Sequence, residues 1–431
     1  ITTISSHFLK FHCDMGQQET PPSSPIMEEC IEEIDDDEES VADGDVEIID
    51  SYQVEEIEDE GEEQMADDEI VIEAMEREDA SLIFEKHEAS VFCGSLSKDG
   101  KYAVTGGEDD KAYVWDVKNG EIYLECTDHK DSVIFADFSH DDSYLATGDM
   151  NGIIQVRKTS DKTVVWDYNM GDATWMQWHP MAHVLFAGSV EGEVYWWKIP
   201  DGECKVVPGF SKRAETACLM PDGKRLVVGY EDGVIRIIDL KSCGITTIPS
   251  NAAHKTAITS IDCHLDNNLI LSAAVDGKTI ISSANTGKVI SILQDLGGED
   301  LDCEEASESG NPKGNWIEAV TFVKDHSQQV AATGSLNGEI FIWDIARKAI
   351  KHKIDQGSGV TKLLWKANST LLFSASLDGI LRCYEGRSGE CIRTFLGHTE
   401  DILDVCISRD QKFILTTSDD TTARLFQIDT A

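Results

Sequence analysis

The feature that most constrains this 431-residue chain is a pattern that returns about every forty residues. Each copy has an apolar run, a turn with an acidic or amide side chain and a second apolar run, most clearly in residues 101–116. The turn side chains are Asp109, Asn151, Glu191, Asp232, Asp276, Asn337, Asp378 and Asp420. Their spacings are 42, 40, 41, 44, 61, 41 and 42 residues. Short strands at this period predict an all-β propeller with eight blades, or seven as the alternative count.

The period and strand pattern of these copies resemble the WD-repeat family over about residues 81–431. The resemblance implies a hydrogen-bonded set in each blade, formed by a His before the first strand, a Ser or Thr on the second, an Asp in the turn and a Trp on the third. Copies one, five and eight supply His87, Thr105, Asp109 and Trp115; His254, Ser272 and Asp276; and His398, Thr416 and Asp420.

The other copies match this set less well. Copies three, four, six and seven lack a well-placed His, although Asp232 and Asp378 keep the turn position in copies four and seven. Copy two has Asn151 and Arg157 where the Asp and the Trp would stand. We expect these blades to depend more on apolar packing.

The ends of the ring define the predicted domains. In the WD-repeat family the N-terminal strand usually becomes the outermost strand of the last blade, and residues 81–85 have the length and place for this. They should pair with the strand near residues 424–428. Residues 81–431 are therefore predicted to be the propeller, and residues 1–80 a separate N-terminal tail.

The charge of the chain indicates what kind of partner it binds. It has 81 acidic and 36 basic residues, a net charge of −45, of which −27 falls in residues 1–79 and −18 in the remainder. This argues against direct nucleic-acid binding, because a phosphate-binding surface must be basic. The tail has too few apolar side chains for its charge and is predicted to be disordered. The expected partner is a basic protein or peptide.

One spacing is longer because residues 295–314 are inserted between two blades. The insertion carries seven acidic residues. Loops that join successive blades lie on one end of the ring, called the top face in this family. The insertion is therefore predicted to hang an acidic loop over the top face, with a neutral loop extension as the alternative.

The sequence gives no sign of a metal site, a cofactor site or a membrane-spanning segment. The twelve cysteines are scattered without a CxxC pair, so we expect reduced thiols, no metal site and no cofactor. No apolar run is long enough to span a membrane. We expect a monomer in the cytoplasm, with nuclear or peripheral membrane association left open. If Met15 is the true start, Gly16 fits the bare myristoylation pattern, which stays an open alternative.

The chain is predicted not to be an enzyme, because its Ser, His and Asp residues recur at repeat positions and no catalytic motif occurs. The predicted binding site is the top face. Two of its residues, Trp175 and Trp316, are expected either to hold a basic peptide or to pack in the core. The full predicted site is Glu88, Glu108, Asp131, Asp172, Trp175, Glu215, Glu231, Trp316, Glu318, Glu400, Asp401 and Asp419.

Several segments resemble the angio-associated migratory cell protein family, notably residues 105–115 (TGGEDDKAYVW), 138–152 (FSHDDSYLATGDMNG) and 221–237 (PDGKRLVVGYEDGVIRI). In animals the family name points to cell migration, which implies a signalling scaffold. Its fungal relatives are chaperones that hold the basic N-terminal segment of a large-subunit ribosomal protein on an acidic propeller face. The charge of this chain favours the chaperone role, and the scaffold role is the alternative.

Overall fold

The computed structural model describes residues 77–295 and 316–428. These residues form eight antiparallel sheets of four strands each. Neighbouring innermost strands contact one another all the way round, so the sheets are the blades of a closed ring. The prediction of an eight-bladed propeller is confirmed, and the seven-blade alternative is wrong.

We call the strands of each blade a to d, from the innermost to the outermost. In blade order, strands a are β2 (Val91–Leu96), β6 (Val133–Phe138), β10 (Ala173–Trp178), β14 (Ala214–Leu219), β18 (Ile258–Cys263), β22 (Ile317–Phe322), β26 (Val360–Trp365) and β30 (Ile402–Ile407). Strands b are β3 (Tyr102–Gly107), β7 (Tyr144–Asp149), β11 (Val184–Ser189), β15 (Arg225–Tyr230), β19 (Leu269–Ala274), β23 (Val330–Ser335), β27 (Leu371–Ser376) and β31 (Phe413–Ser418).

The two outer strands follow in the same blade order. Strands c are β4 (Ala112–Asp116), β8 (Ile153–Lys158), β12 (Val194–Lys198), β16 (Ile235–Asp239), β20 (Lys278–Ser283), β24 (Glu339–Asp344), β28 (Leu381–Glu385) and β32 (Ala423–Gln427). Strands d are β5 (Ile122–Cys126), β9 (Val164–Asn169), β13 (Glu203–Val207), β17 (Ile245–Ile248), β21 (Val289–Asp295), β25 (Ala349–Asp355), β29 (Cys391–Phe395) and β1 (Leu82–Phe84).

The ring closes through the strand that the sequence predicted. Leu82, Ile83 and Phe84 of β1 pair with Leu425, Arg424 and Ala423 of β32. The Phe84 ring stacks on Trp115 of blade 1 at a centroid distance of 4.9 Å, so the closing strand also joins the last blade to the first. Burying large apolar side chains of this kind contributes about 1.5–3 kcal/mol each.

Apolar side chains are buried mainly between neighbouring blades. One cluster joins Ile237 of blade 4 to Ile261 and Ile280 of blade 5, and similar clusters lie between the other pairs. No blade can bury both of its faces alone, and stacking around the ring solves this.

A bulge in every strand a decides where some predicted site residues point. Each strand a shifts register at its second residue, as between Val91 and Cys93 of β2. The bulge residues Phe92, Ile134 and Leu403, from three adjacent blades, pack on one another. The bulge therefore turns its side chain towards the neighbouring innermost strands.

Two predicted segments lie outside the described residues: most of the acidic tail, as residues 1–76, and the acidic insertion, as residues 296–315. The predictions about them, including the domain boundary near residue 80 and the myristoylation of Gly16, stay predictions. Across residues 77–295 and 316–428, no helix has the length and apolar character needed to cross a membrane.

Candidate protein-binding face

The top face is the end of the ring where strands d lead into strands a and strands b lead into strands c. Tight b–c turns shape it, and six of them have a glycine at positive φ. In blade 4, a Cβ atom on Gly233 would lie 2.1 Å from the carbonyl oxygen of His254 in the next blade. A side chain there would push the neighbouring loop away, so this turn requires glycine.

Four blades contain a His, a Ser or Thr and an Asp in contact beneath the top face. The His Nε2 to hydroxyl distances are 2.9 Å (His87–Thr105), 2.8 Å (His129–Thr147), 2.8 Å (His254–Ser272) and 2.7 Å (His398–Thr416). The His Nδ1 to carboxylate distances are 3.0 Å (Asp109), 3.2 Å (Asp149), 3.4 Å (Asp276) and 2.8 Å (Asp420).

These sets hold the d–a loops in place. The carboxylate of Asp109 accepts the backbone N–H of Glu88, and that of Asp420 accepts the backbone N–H of Thr399. Burial alone would raise the pKa of Asp420, but hydrogen bonding and proximity to His398 outweigh it and lower that pKa well below its usual range. The four His side chains are buried, so these residues satisfy one another inside the blade.

The structure corrects the prediction for blade 2, which has a full His–Thr–Asp set. Asp149 takes the carboxylate position expected at Asn151, while Arg157 pairs with Asp128 at 2.6 Å. A signal for this set was present in the sequence. His129 precedes Thr147 by 18 residues, the same spacing as between His and hydroxyl in blades 1, 5 and 8.

In two blades a glutamine takes the place of the His, which the sequence analysis missed. Gln356 Oε1 accepts the Ser374 hydroxyl at 2.9 Å in blade 7, and Gln294 Oε1 accepts the Thr333 hydroxyl at 3.0 Å in blade 6. The glutamine amide provides the same acceptor as an imidazole nitrogen, so blades 6 and 7 keep part of the network.

The remaining repeat positions differ in their contacts. Asp378 accepts hydrogen bonds from both terminal guanidinium nitrogens of Arg382, and Asp232 Oδ1 accepts the Val234 backbone N–H. Trp115 is fully buried, but its Nε1 makes no hydrogen bond to any described residue, so it does not complete the set of blade 1 as expected. The Trp343 Nε1 does donate to Thr333, at 3.1 Å.

Eight of the predicted acidic site residues lie in loops of the top face. Four are exposed, namely Glu88, Glu108, Asp172 and Glu400. Four are half-buried, namely Asp131, Glu231, Asp401 and Asp419. The Ser90 hydroxyl donates to the Asp419 carboxylate, which joins the loops of blades 1 and 8.

These acids are unevenly placed around the ring. Most belong to blades 8, 1 and 2, whose top-face loops we call the acidic sector: residues 85–90, 108–111, 127–132, 399–401 and 419–422. Burial and then the nearby carboxylates of Asp131, Asp109 and Asp149 raise the pKa of Asp110 in this sector. In blade 4, by contrast, Lys212 Nζ lies 3.5 Å from the Glu231 carboxylate and offsets its negative charge. Among the described top-face loops, the predicted acidic site residues are thus concentrated in this sector.

Three predicted site residues are buried rather than on the surface. Glu215 and Glu318 occupy the bulge position of strand a, so they turn inwards and are 4% and 7% exposed. Trp175 is 1% exposed and packs with Phe186 and Tyr230 between blades 3 and 4. Core packing, the alternative left open for Trp175, is therefore the correct interpretation. Trp316 is half-buried directly before β22, and its anchoring role stays a prediction.

The opposite end of the ring, the bottom face, contains a cavity that the sequence analysis missed. It has a volume of about 360 Å³ and lies between strands β2, β6 and β30. Asp137 and Asp404 line it and are buried. Burial raises the pKa of Asp137 to about 6, although the Ser95 hydroxyl donates to its carboxylate. Its Oδ2 has no hydrogen-bond partner among the described residues.

Comparison with known proteins agrees with this architecture. The model of the WD domain, G-beta repeat, matches residues 80–116, 120–157, 245–281, 349–385 and 389–427. Crystal structures of Sqt1 have the same fold. That of Saccharomyces cerevisiae Sqt1 superposes with a TM-score of 0.72 at 18% identity, over 82% of this chain and 100% of that chain. That of Chaetomium thermophilum Sqt1 bound to the N-terminus of the ribosomal protein L10 gives 0.71 at 19% identity, with the same coverage.

Two relatives differ in how similar their sequences are to this chain. The ribosome assembly protein SQT1 of S. cerevisiae is 22% identical over 414 residues, covering 86% of this chain and 91% of the relative. The human angio-associated migratory cell protein is 41% identical over 352 residues, covering 81% of this chain and 80% of the relative. The chain therefore belongs to the angio-associated migratory cell protein family of WD-repeat proteins.

Proposed function

We propose that this protein is a non-catalytic binding propeller that escorts a basic client, with the acidic sector as its docking surface. The observation that carries the proposal is the concentration of carboxylates in blades 8, 1 and 2, where burial and then neighbouring carboxylates raise the pKa of Asp110. A cationic segment lying across these loops would relieve the repulsion and form ion pairs with the exposed side chains of Glu88, Glu108 and Glu400.

We further propose that the client is the N-terminal segment of a large-subunit ribosomal protein. Two facts support this client: C. thermophilum Sqt1, which has the same fold, was crystallised with the N-terminus of L10, and the net charge here is −45. A polyanionic surface would shield a basic chain from other anions until assembly. We expect a monomer acting in the cytoplasm, with nuclear or peripheral membrane association as further possibilities to test.

Affinity capture tests this function. The tagged full-length chain would be recovered from cell lysate at about 150 and 500 mM salt, and bound proteins identified by mass spectrometry. The account predicts one basic ribosomal protein in equal amount, lost at high salt and absent with Glu88→Lys, Glu108→Lys and Glu400→Lys combined. The control variant combines Glu121→Lys, Asp167→Lys and Glu203→Lys, three exposed acids away from the sector, and should keep the client.

The alternative is a scaffold in cell-migration signalling, which the similarity to the human angio-associated migratory cell protein favours. A scaffold would recover several membrane or cytoskeletal regulators, insensitive to the sector variant, and no ribosomal protein. Capture of such a set would replace the chaperone proposal with the scaffold proposal.

A further inference from the structure

The bottom face brings together two histidines and an aspartate from neighbouring blades. His140 and Asp141 lie in the turn that follows β6 in blade 2, and His183 lies directly before β11 in blade 3. All three are partly or fully accessible to solvent. His183 is 42 residues from Asp141 along the chain, about one repeat, so only the stacking of the two blades brings it to the other two residues.

Their geometry suits a metal ion. Each residue offers one ligand atom, and these three atoms all lie within 4.8 Å of one another. His183 Nε2 is 2.9 Å from Asp141 Oδ1, and the two imidazole centroids are 4.9 Å apart. Around a zinc ion with bonds of about 2.0–2.2 Å, tetrahedral ligand atoms stand roughly 3.4 Å apart. Small side-chain rotations would close the remaining gap.

The contacts around Asp141 and His140 also suit metal binding. Two serine hydroxyls, of Ser139 and Ser143, donate to the Asp141 carboxylate and fix its orientation. Such outer contacts are typical of metal-binding carboxylates. The Nδ1 atom of His140 is shielded from solvent and has no hydrogen-bond partner in the described part of the chain.

Equivalent turns in other blades show which contacts belong to the repeat and which are specific to the proposed metal site. Asp99 and Asp410 accept the hydroxyls of Ser97 and Ser408 in equivalent turns, so the carboxylate is a turn feature of the repeat. In blade 5, Asp266 lies 2.9 Å from the single imidazole of His264. Among the described residues, only blades 2 and 3 bring two imidazoles to such a carboxylate.

We propose that His140, Asp141 and His183 bind one divalent transition-metal ion that links the bottom-face turns of blades 2 and 3. Two imidazole nitrogens and a carboxylate oxygen are ligands that suit Zn²⁺ and its neighbours, with solvent completing the coordination. Binding replaces the hydrogen bond between His183 Nε2 and Asp141 Oδ1 with bonds from both atoms to the metal ion. The site is on the opposite face from the acidic sector, so it is independent of client binding.

Titration of the full-length chain with Co²⁺ tests the site, since this ion reports its ligands by absorption. Weak visible bands with one equivalent bound, and no thiolate-to-cobalt charge-transfer band, are expected. His140→Ala and His183→Ala should each weaken binding at least tenfold, whereas His264→Ala should leave it unchanged. Equal affinity in His140→Ala or His183→Ala, a thiolate band from one of the cysteines, or no saturable binding would overturn the proposal.

Discussion

The acidic sector and the adjoining blades 3 and 4 are built differently although they follow the same repeat. Blades 8, 1 and 2 each have a full His–Thr–Asp set that clamps a d–a loop. Blades 3 and 4 have aromatic residues instead, with Arg236 lying 3.9 Å from the centroid of the Phe210 ring. The WD-repeat model matches the first group but does not match strands a to c of blades 3, 4 and 6.

Because the two regions are built differently, we expect them to affect stability and client binding differently. In the acidic sector, buried polar sets fix the loops that carry the exposed carboxylates. Fixed loops hold like charges close together, which costs stability but presents a preformed surface to a cation. In blades 3 and 4, apolar packing stabilises the structure, and a nearby basic side chain, Lys212, offsets the negative charge of Glu231. We therefore expect stability changes in both regions but client binding in the first alone.

The largest effect on stability is expected from Trp175→Ala in blades 3 and 4. Removing this fully buried indole should reduce the free energy of unfolding by about 3–5 kcal/mol and leave client affinity unchanged in the folded fraction. Trp316→Ala, at a half-buried position, is the control and should cost less. Chemical denaturation measures both. A loss of client affinity without a loss of stability would show that Trp175 is a binding residue after all.

The Asp of the b–c turn should matter more in blade 8, which has a full polar set, than in blade 4, which has none. Asp420→Ala removes contacts to His398, Thr422 and Arg424 and should destabilise the protein by about 3 kcal/mol. The equivalent Asp232→Ala in blade 4 removes a backbone contact and should cost about 1 kcal/mol or less. Thermal unfolding of the two variants measures both losses of stability. Equal losses would contradict the proposed difference between the two regions.

A smaller effect with a clear pH dependence is expected at Asp137, beneath the acidic sector. Because burial raises its pKa to about 6 in the folded protein, ionisation disfavours folding progressively as pH rises from about 4 to 6. Asp137→Asn should therefore stabilise the protein by about 1–2 kcal/mol at pH 8. At pH 4 the gain should vanish. A gain of the same size at both pH values would contradict the raised pKa.

The repeat spacing and strand patterning predicted the blade count, the b–c turns and the closing strand β1. They did so because each depends on local sequence and on a period that eight copies reinforce. Asp149 was not predicted because it stands two residues before Asn151, which occupies the expected turn position. The burial of Glu215 and Glu318 was missed because a bulge reverses the side-chain alternation, and no local signal announced it. Neighbours from different blades, such as His140 and His183, cannot be read from spacing alone.

The most direct test of the central claim is the affinity of the full-length chain for a labelled peptide from the N-terminus of ribosomal protein L10, followed by fluorescence anisotropy. Compared with the natural protein, Glu88→Lys, Glu108→Lys and Glu400→Lys combined should weaken binding at least about 30-fold. The control with Glu121→Lys, Asp167→Lys and Glu203→Lys should stay within about threefold, since it has the same net charge. If the two variants bind equally well, the acidic sector is not the docking surface.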